Sequence, residues 1–435
     1  MKRISDTPLM AWKKSKDRKV LLVRGARQVG KTFSVRHLGR QFEHFLEVNF
    51  EEHKDIHVFF RNSLDPAKIL EKLAAYFSVP VTEGGTLVFF DEIQACPEAL
   101  ASLRFFYEKK PRLHVVAAGS LLEFALAQIP SHGVGRITSL FMYPLSFDEF
   151  LSSLGEDRLL GLVQHAGIGR PLDTVFHDRL VDHFKTFQLI GGFPEVVAHY
   201  VQHKDLHACF KILDDLITTF IDDFAKYQTR LSVERLTEVF RAMVFQCGRK
   251  FKYSNIPSQA SHAALKQALF LLERAGLATR VCHTSAQGLP LGAQIDESKF
   301  KVLPLDTGLM QRLLGLDVPS YLTAGDFDLI NKGGLAEVFA GLELIKYQPS
   351  HMHPSLYYWQ REQKGSTAEV DYVIQKANQV FPVEVKAGTR GQMQSLHVFL
   401  TEKKLRQGVR ISLENFCTYD NITVIPLYAV SHVTQ

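Results

Sequence analysis

"KVLLVRGARQVGKT", residues 19–32, decides how the first third of the chain is read. Its opening half is valine and leucine, short enough for one buried strand. The rest spells G-x-x-x-x-G-K-T, with Gly25 and Gly30 in the two glycine places. Those glycines let the backbone curl through Ala26, Arg27, Gln28 and Val29 until its amides point inward at a phosphate chain. Lys31 then reaches the outer phosphates, and the Thr32 hydroxyl can hold Mg²⁺. The following stretch, "FSVRHLGRQF", reads as a helix whose N-terminal dipole adds to the same spot. A strand before the motif and a helix after it set it apart from an ordinary glycine-rich turn. The pattern predicts binding of ATP or GTP.

A second element supports that reading. "TLVFFDEIQ" (86–94) is a strand of the buried type ending in Asp91 and Glu92. A Mg²⁺-facing carboxylate followed by a water-activating one is the pair that phosphoryl transfer needs. Standing alone, the pair would read as an acidic helix cap after a core strand; the upstream phosphate loop tips the balance. "RLHVVAAGS" (112–120) gives a third strand, and Ser120 falls at the carboxyl edge of the sheet, where such folds bind ligands. Arg136, in "SHGVGRITSLFMYPLSF", is the candidate for a charge-stabilising arginine acting on a nucleotide across a subunit boundary, against a merely solvated arginine in a glycine-rich loop.

The bulk numbers bound the rest. A chain of 435 residues exceeds one hydrophobic core and predicts two to four domains. Hydrophobic content of 46%, charged content of 22% and a net charge of +5 are ordinary for a globular protein. The charge permits a basic patch for nucleic acid without requiring one. The five cysteines (Cys96, Cys209, Cys247, Cys282, Cys417) are far apart and form no C-x-x-C pair, which argues against a zinc ribbon or a disulfide framework and fits a reducing compartment. "MKRISDTPLMAWKKSKDRK" at the start lacks the apolar stretch of a signal peptide, and no apolar run of about 18 residues is free of charge. The expectation is a cytoplasmic protein with no membrane partner.

"GARQVGKT", "FFDEIQ", "GSLLEF", "YPLSFDEFL", "GGFPEVV" (191–197) and "KFKVLPLDTGL" (299–309), in that order, resemble a large group of prokaryotic AAA-type ATPases. In that group a P-loop domain is joined to a C-terminal region ending in a restriction-endonuclease-like module. The resemblance implies an α/β protein in four parts. They are an AAA-type P-loop ATPase domain with a parallel sheet (1–150), a helical lid (151–228), a winged-helix-like domain (229–325) and a PD-(D/E)xK nuclease-like domain (326–435). It implies ATP and Mg²⁺ as cofactors, a sensor role for Ser120, and a homo-oligomer completing its sites with Arg136, although a monomer stays open.

The middle of the chain agrees with a helical lid: "LDDLITTFIDDFAKY" (213–227) spaces apolar residues three and four apart. Residues 231–281 read as helix, basic connector, helix and strand, the succession of a winged helix. Its second helix would be the DNA reader, with Lys266, Arg249, Lys250 and Lys252 as phosphate contacts. A spacer or protein-binding role is the competing reading, because "ALFLLERAGLA" is as apolar as a buried helix.

The last part turns on "AEVDYVIQKANQVFPVEVKAG" (368–388), two β-rich segments around a polar turn. Side chains two apart share a face, which pairs Glu369 with Asp371 and Glu384 with Lys386. A helix carrying Glu337, the strand "SLYYWQRE", a strand with Asp371 and a strand with Glu-x-Lys follow the order of parts in PD-(D/E)xK nucleases. In that reading Asp371, Glu384 and Glu337 offer hard oxygen ligands to one or two Mg²⁺ ions, which polarise the scissile phosphate of DNA. Lys386 stabilises the developing charge. The alternatives are a wet hairpin face balanced by opposite charges, and a nuclease-like module that holds nucleic acid without cutting it. Two functions follow: an ATP-hydrolysing protein acting on DNA with metal-dependent nuclease chemistry, or a nucleotide-dependent switch whose nuclease-like module is inert.

Overall fold

The apolar runs picked out above form one parallel sheet. In the computed structural model, which describes residues 1–128, 135–227, 231–316, 334–363, 365–376, 378–389 and 391–434, the strands are β1 (Val20–Arg24), β2 (His44–Asn49), β3 (Thr86–Asp91), β4 (His114–Ala118) and β5 (Ile137–Phe141). Their order is β2-β3-β4-β1-β5, and every pairing is parallel. A parallel sheet needs helical crossovers on its faces, so its central strands are buried on both sides and read as unbroken apolar runs. β3 and β4 are buried at every position. Leu22, Val48, Phe50, Val88, Phe90, Leu103 and Phe106 belong to one core cluster on this sheet. This sheet and its helices are one compact unit, residues 2–143 together with 349–353.

The strand directions place the chemistry. Parallel strands end together, so the turns after Arg24, Asp91 and Ala118 share the carboxyl edge of the sheet. Arg136 immediately precedes β5, whose first residue Ile137 lies beside Val20 at the start of β1. Arg136 therefore lies at the opposite edge, about 20 Å along the strands from the start of the phosphate loop.

The second unit comprises residues 144–348 with 354–435. The segment expected to be helical is helical, with Asp157–His165, Thr174–Ile190, Pro194–His203 and Leu206–Asp223. Two helices follow, Val233–Phe245 and His262–Arg274, and then the antiparallel strands β6 (Ala278–Thr284) and β7 (Ile295–Pro304). Next come the helix Leu335–Lys346, β8 (Leu356–Gln360), β9 (Glu369–Lys376), β10 (Gln379–Val385), the helix Gln394–Lys403, β11 (Gly408–Ser412), β12 (Cys417–Tyr419) and β13 (Ile422–Pro426). The expected pair around residue 377 is an antiparallel hairpin, Val383 opposite Tyr372.

Among the described residues, the eight strands of this unit form one sheet, in the order β12-β13-β11-β10-β9-β8-β6-β7. The β6–β7 hairpin therefore continues the C-terminal sheet through a parallel pairing of β6 with β8. The expected boundaries at 228/229 and 325/326, and residues 131–134 of the stretch leading to Arg136, lie outside the described residues.

Candidate nucleotide site and acidic cluster

The phosphate loop is built as its sequence predicts. Gly25 adopts φ +140 and Gly30 φ +92, both in the left-handed half of the map. The helix Lys31–Gly39 starts directly after Gly30, so its unpaired first-turn amides and positive dipole end face the loop. The Lys31 ammonium is buried and donates to the carbonyls of Gly25 and Ala26 at 3.0 and 2.8 Å. Burial pushes its pKa down to about 8, against the pull of Glu92 and Asp91. Ala26 and Val29 are buried and anchor the loop, while Arg27 is partly buried and Gln28 is exposed.

Thr32 Oγ1 donates to Asp91 Oδ2 at 2.9 Å. Burial pushes the Asp91 carboxyl up to about 6, partly offset by the Thr32 hydrogen bond. A hydroxyl and a carboxylate are the hard oxygen donors that Mg²⁺ prefers, and a divalent charge would relieve a carboxylate held too neutral by burial. The residues fit a magnesium nucleotide: the loop, Lys31 and the helix terminus for the phosphates, Thr32 and Asp91 for the ion.

Glu92 adopts φ +48, which turns its side chain out of the strand direction. Its Oε2 accepts from the Ser120 amide and hydroxyl, each at 3.1 Å, and from Gln94 Nε2 at 2.7 Å. Ser120 and Glu92 are thus joined by two hydrogen bonds. Arg136, at the far edge of the sheet, bonds Glu108 Oε1 through Nε at 2.7 Å and is half exposed. The structure brings every other expected nucleotide-site residue to one place; Arg136 stands apart from it.

In the second unit, the expected acidic residues lie in one charged cluster, Glu337 and Asp371 beside Lys301 and Glu384 beside Lys386. Asp371 Oδ2 accepts the Val385 amide at 2.7 Å, beyond the last β9–β10 backbone pair, so a side chain completes the ladder where the strands part. Glu384 Oε1 accepts from Lys386 Nζ at 2.6 Å. Glu384 Oε2 is buried without a hydrogen-bond partner. Tyr372, fully buried, donates its hydroxyl to the Glu337 carbonyl at 2.7 Å and so fixes the helix carrying Glu337 against β9.

One participant went unexpected. Lys301, on β7, is 1% exposed and sits among the carboxylates, 2.8 Å from Glu337, 2.6 Å from Glu369 and 3.8 Å from Asp371. Burial opposes its charge, but Glu337, Asp371 and Glu369 outweigh it and hold the ammonium above the ordinary lysine value. Burial also pushes the Glu337 and Glu384 carboxyls up to about 7 and raises Asp371. The available signal was a lone lysine inside the apolar stretch "FKVLPL", because a lysine buried there must have an acidic partner.

Among the described residues, no oxygens of Glu337, Asp371 and Glu384 converge as a set of three; the trio that does is His283, Asp296 and Glu362. Lys299 already bridges Asp296 and Glu362 in that trio, at 3.1 and 2.7 Å.

Residues 17–151 match the AAA domain family, residues 181–320 match a domain of unknown function (DUF8612), and residues 332–430 match another (DUF4143). No curated protein matches. Among solved structures, the chain is similar to a Walker-type ATPase of Pyrococcus abyssi at 14% identity, covering 72% of this chain and 95% of that one with a TM-score of 0.46. It is also similar to the Aeropyrum pernix ORC2 protein in its ADPNP-ADP complexes, at 14% identity, 72% and 92% coverage and a TM-score of 0.38. For the Aeropyrum pernix ORC1 protein in complex with DNA, the values are 12%, 74%, 95% and 0.30. By its family match and its loop geometry the N-terminal unit is an AAA-type P-loop ATPase domain, followed by two regions without an assigned role. No helix among the described residues is long and apolar enough to cross a membrane.

Proposed function

We propose that the protein hydrolyses ATP in its N-terminal unit and couples turnover to DNA held by the second. The observation carrying the ATPase reading is the Thr32–Asp91 hydrogen bond at 2.9 Å, which puts both ion-holding groups of the two motifs in contact beside Lys31. Bound Mg²⁺ would supply charge neutralisation at the outer phosphates. Lys31 neutralises the same phosphates and orients them. Glu92, held by Ser120, accepts the proton of the attacking water. Arg136 reaches a nucleotide only in a second copy of the chain, so the reading includes a homo-oligomer.

Several features support action on DNA. Arg249, Lys252 and Lys266 are exposed, and Lys250 partly so. The helices Val233–Phe245 and His262–Arg274, followed by the β6–β7 hairpin, have the succession of a winged helix. The helix with Glu337, then β8, β9 and β10, follows the nuclease-like order, and Asp371, Glu384 and Lys386 would carry its metal chemistry. A cytoplasmic location completes the reading.

The Lys301 ammonium favours a second reading, a nucleotide-dependent switch whose nuclease-like module does not cut, because a cation already sits in the acidic cluster. One pair of assays separates them. Lys31→Ala should abolish ATP hydrolysis while circular dichroism is unchanged; normal turnover would refute the phosphate-loop assignment. Plasmid is then incubated with Mg²⁺ or Mn²⁺, with and without ATP. Cleavage lost in Asp371→Ala and Lys386→Ala supports the nuclease reading, whereas uncut plasmid throughout supports the switch.

A further inference from the structure

The acidic cluster of the second unit contains four carboxylates, from Glu337, Glu369, Asp371 and Glu384, and two ammonium groups, from Lys301 and Lys386. Their oxygens are unevenly occupied. Lys301 takes Glu337 Oε1 and Glu369 Oε1 at 2.8 and 2.6 Å. The Val385 amide takes Asp371 Oδ2 at 2.7 Å, and Lys386 takes Glu384 Oε1 at 2.6 Å. Glu384 Oε2 remains, a buried oxygen without a partner on a residue only 6% exposed. Asp371 Oδ1 is 3.8 Å from Lys301 Nζ, beyond a hydrogen bond. A buried carboxylate oxygen with no donor is costly unless something cationic meets it.

We infer that Lys301 stands where a second cation would otherwise sit, so that the cluster takes one divalent metal ion, held from Glu384 and Asp371, and no more. The inference rests on the metal-centre reading of this cluster and goes beyond it by fixing the number of ions and naming the residue that fixes it. A fixed ammonium takes the place of a metal ion's charge. Paired-ion centres hold their cations about 3.5–4 Å apart between shared carboxylates. A lysine anchored on β7 supplies one of those charges permanently, and a compact ammonium satisfies Glu337 and Glu369 with two of its three donors. The remaining pair suffices for one hard cation, since Mg²⁺ commonly uses one or two carboxylates and keeps several waters. It also explains why Glu337 does not converge with Asp371 and Glu384: Lys301 draws it to its own side. Lys301 and the carboxylates come from separate family regions, residues 181–320 and 332–430, so the ion capacity is set across their junction.

The test counts ions rather than activity. The full chain carrying Asp91→Asn and Asp296→Asn, to silence the N-terminal ion site and the His283, Asp296 and Glu362 trio, is titrated with Mn²⁺ without nucleotide, and bound ion is read by electron paramagnetic resonance. One ion is expected, none after adding Glu384→Gln, and two after adding Lys301→Met. Two ions with Lys301 present would overturn the inference, as would a single ion in Lys301→Met. No ion in any variant would sink the metal-centre reading itself. Should Lys301→Met fail to fold, Glu337→Gln serves instead: the count stays at one, and a fall to zero would put the ion on Glu337 and overturn the inference.

Discussion

The carboxylate of Asp306 accepts the backbone amide of Gly192 at 2.8 Å, joining segments 114 residues apart. Its other oxygen accepts the amides of Gly308 and Leu309 at 2.8 and 3.2 Å. Gly191 has φ +70, and a Cβ there would lie 2.0 Å from Asp306 Oδ1. On the far side, the Leu145 amide donates to the Gly192 carbonyl at 2.6 Å. Three of the chain's distinctive motifs, "YPLSF", "GGFPE" and "LDTGL", are therefore parts of one joint. Their residue types answer to close backbone approach and buried amides, not to catalysis.

Removing the acceptor should loosen that joint. Asp306→Ala leaves three buried amides without a partner, and an orphaned buried donor costs about 1–3 kcal/mol. With partial relaxation, a loss of about 3 kcal/mol is expected, and roughly half of that for Asp306→Asn, which keeps one oxygen. Of the two tryptophans, Trp359 lies in this unit, so a Trp12→Phe background lets urea unfolding followed by fluorescence report on it alone. An alanine variant as stable as its parent would show the joint to be incidental.

The Ser120–Glu92 contacts make a kinetic prediction. Ser120→Ala deletes the hydroxyl donor but keeps the amide, so Glu92 is retained with a looser orientation. Its effect should fall on the chemical step: kcat for ATP down about tenfold, with KM within about twofold, as for a group acting only in the transition state. Steady-state phosphate release measures both. A raised KM with unchanged kcat would mean that Ser120 touches nucleotide and does not position Glu92.

His114 gives the N-terminal unit an acid-sensitive element. Its ring packs edge-on against Trp12 and Phe42, with centroids 5.6 and 4.7 Å away. Nε2 donates to the Lys13 carbonyl at 3.1 Å, leaving Nδ1 buried and unpartnered. Burial lowers the pKa to about 4. Between about 6.5 and 4 the unfolded chain binds the extra proton and the folded one does not, so stability is complete above 6.5 and falls as pH drops toward 4. The loss from this residue is at most about 3 kcal/mol. In a Trp359→Phe background, urea midpoints at pH 7.5, 6.5, 5.5 and 4.5 should fall less steeply for His114→Phe than for its parent; equal slopes would acquit His114.

Much of this was legible in the chain. The phosphate loop, Asp91, Glu92 and Ser120 are fixed by their neighbours along the sequence: each follows an apolar strand, and parallel strands finish at one edge. The 368–388 hairpin was legible for the same reason, through its period of two. Lys301 was not, because its partners lie on a helix and a strand far along the chain, and no local period announces a pairing across a sheet. The position of Arg136 was also hidden. A sequence says that an arginine precedes a strand, but which end of the sheet that strand starts from depends on its pairing with β1. The sharing of one sheet by β6–β7 and β8–β13 rests on the β6–β8 pairing, a long-range parallel contact of the same kind.

Gly25 provides the strictest test of the loop. A Cβ on it would lie 2.2 Å from the Met142 carbonyl oxygen, and Met142 cannot yield easily because its amide is held by the Arg24 carbonyl at 2.8 Å. Its φ of +140 is open to glycine and strained for alanine. Gly25→Ala must therefore either break the Met142–Arg24 bond or swing the loop, and in both cases the Gly25 carbonyl leaves Lys31 Nζ, now 3.0 Å away. Affinity for ATP should fall at least tenfold, about 1.4 kcal/mol, in a binding titration with a fluorescent ATP analogue. Gly135→Ala, at a positive-φ glycine where an added Cβ would meet no atom of the described residues within 4 Å, is the control for backbone strain without a clash. If Gly25→Ala binds nucleotide as tightly as that control, the loop does not grip phosphate in the geometry described.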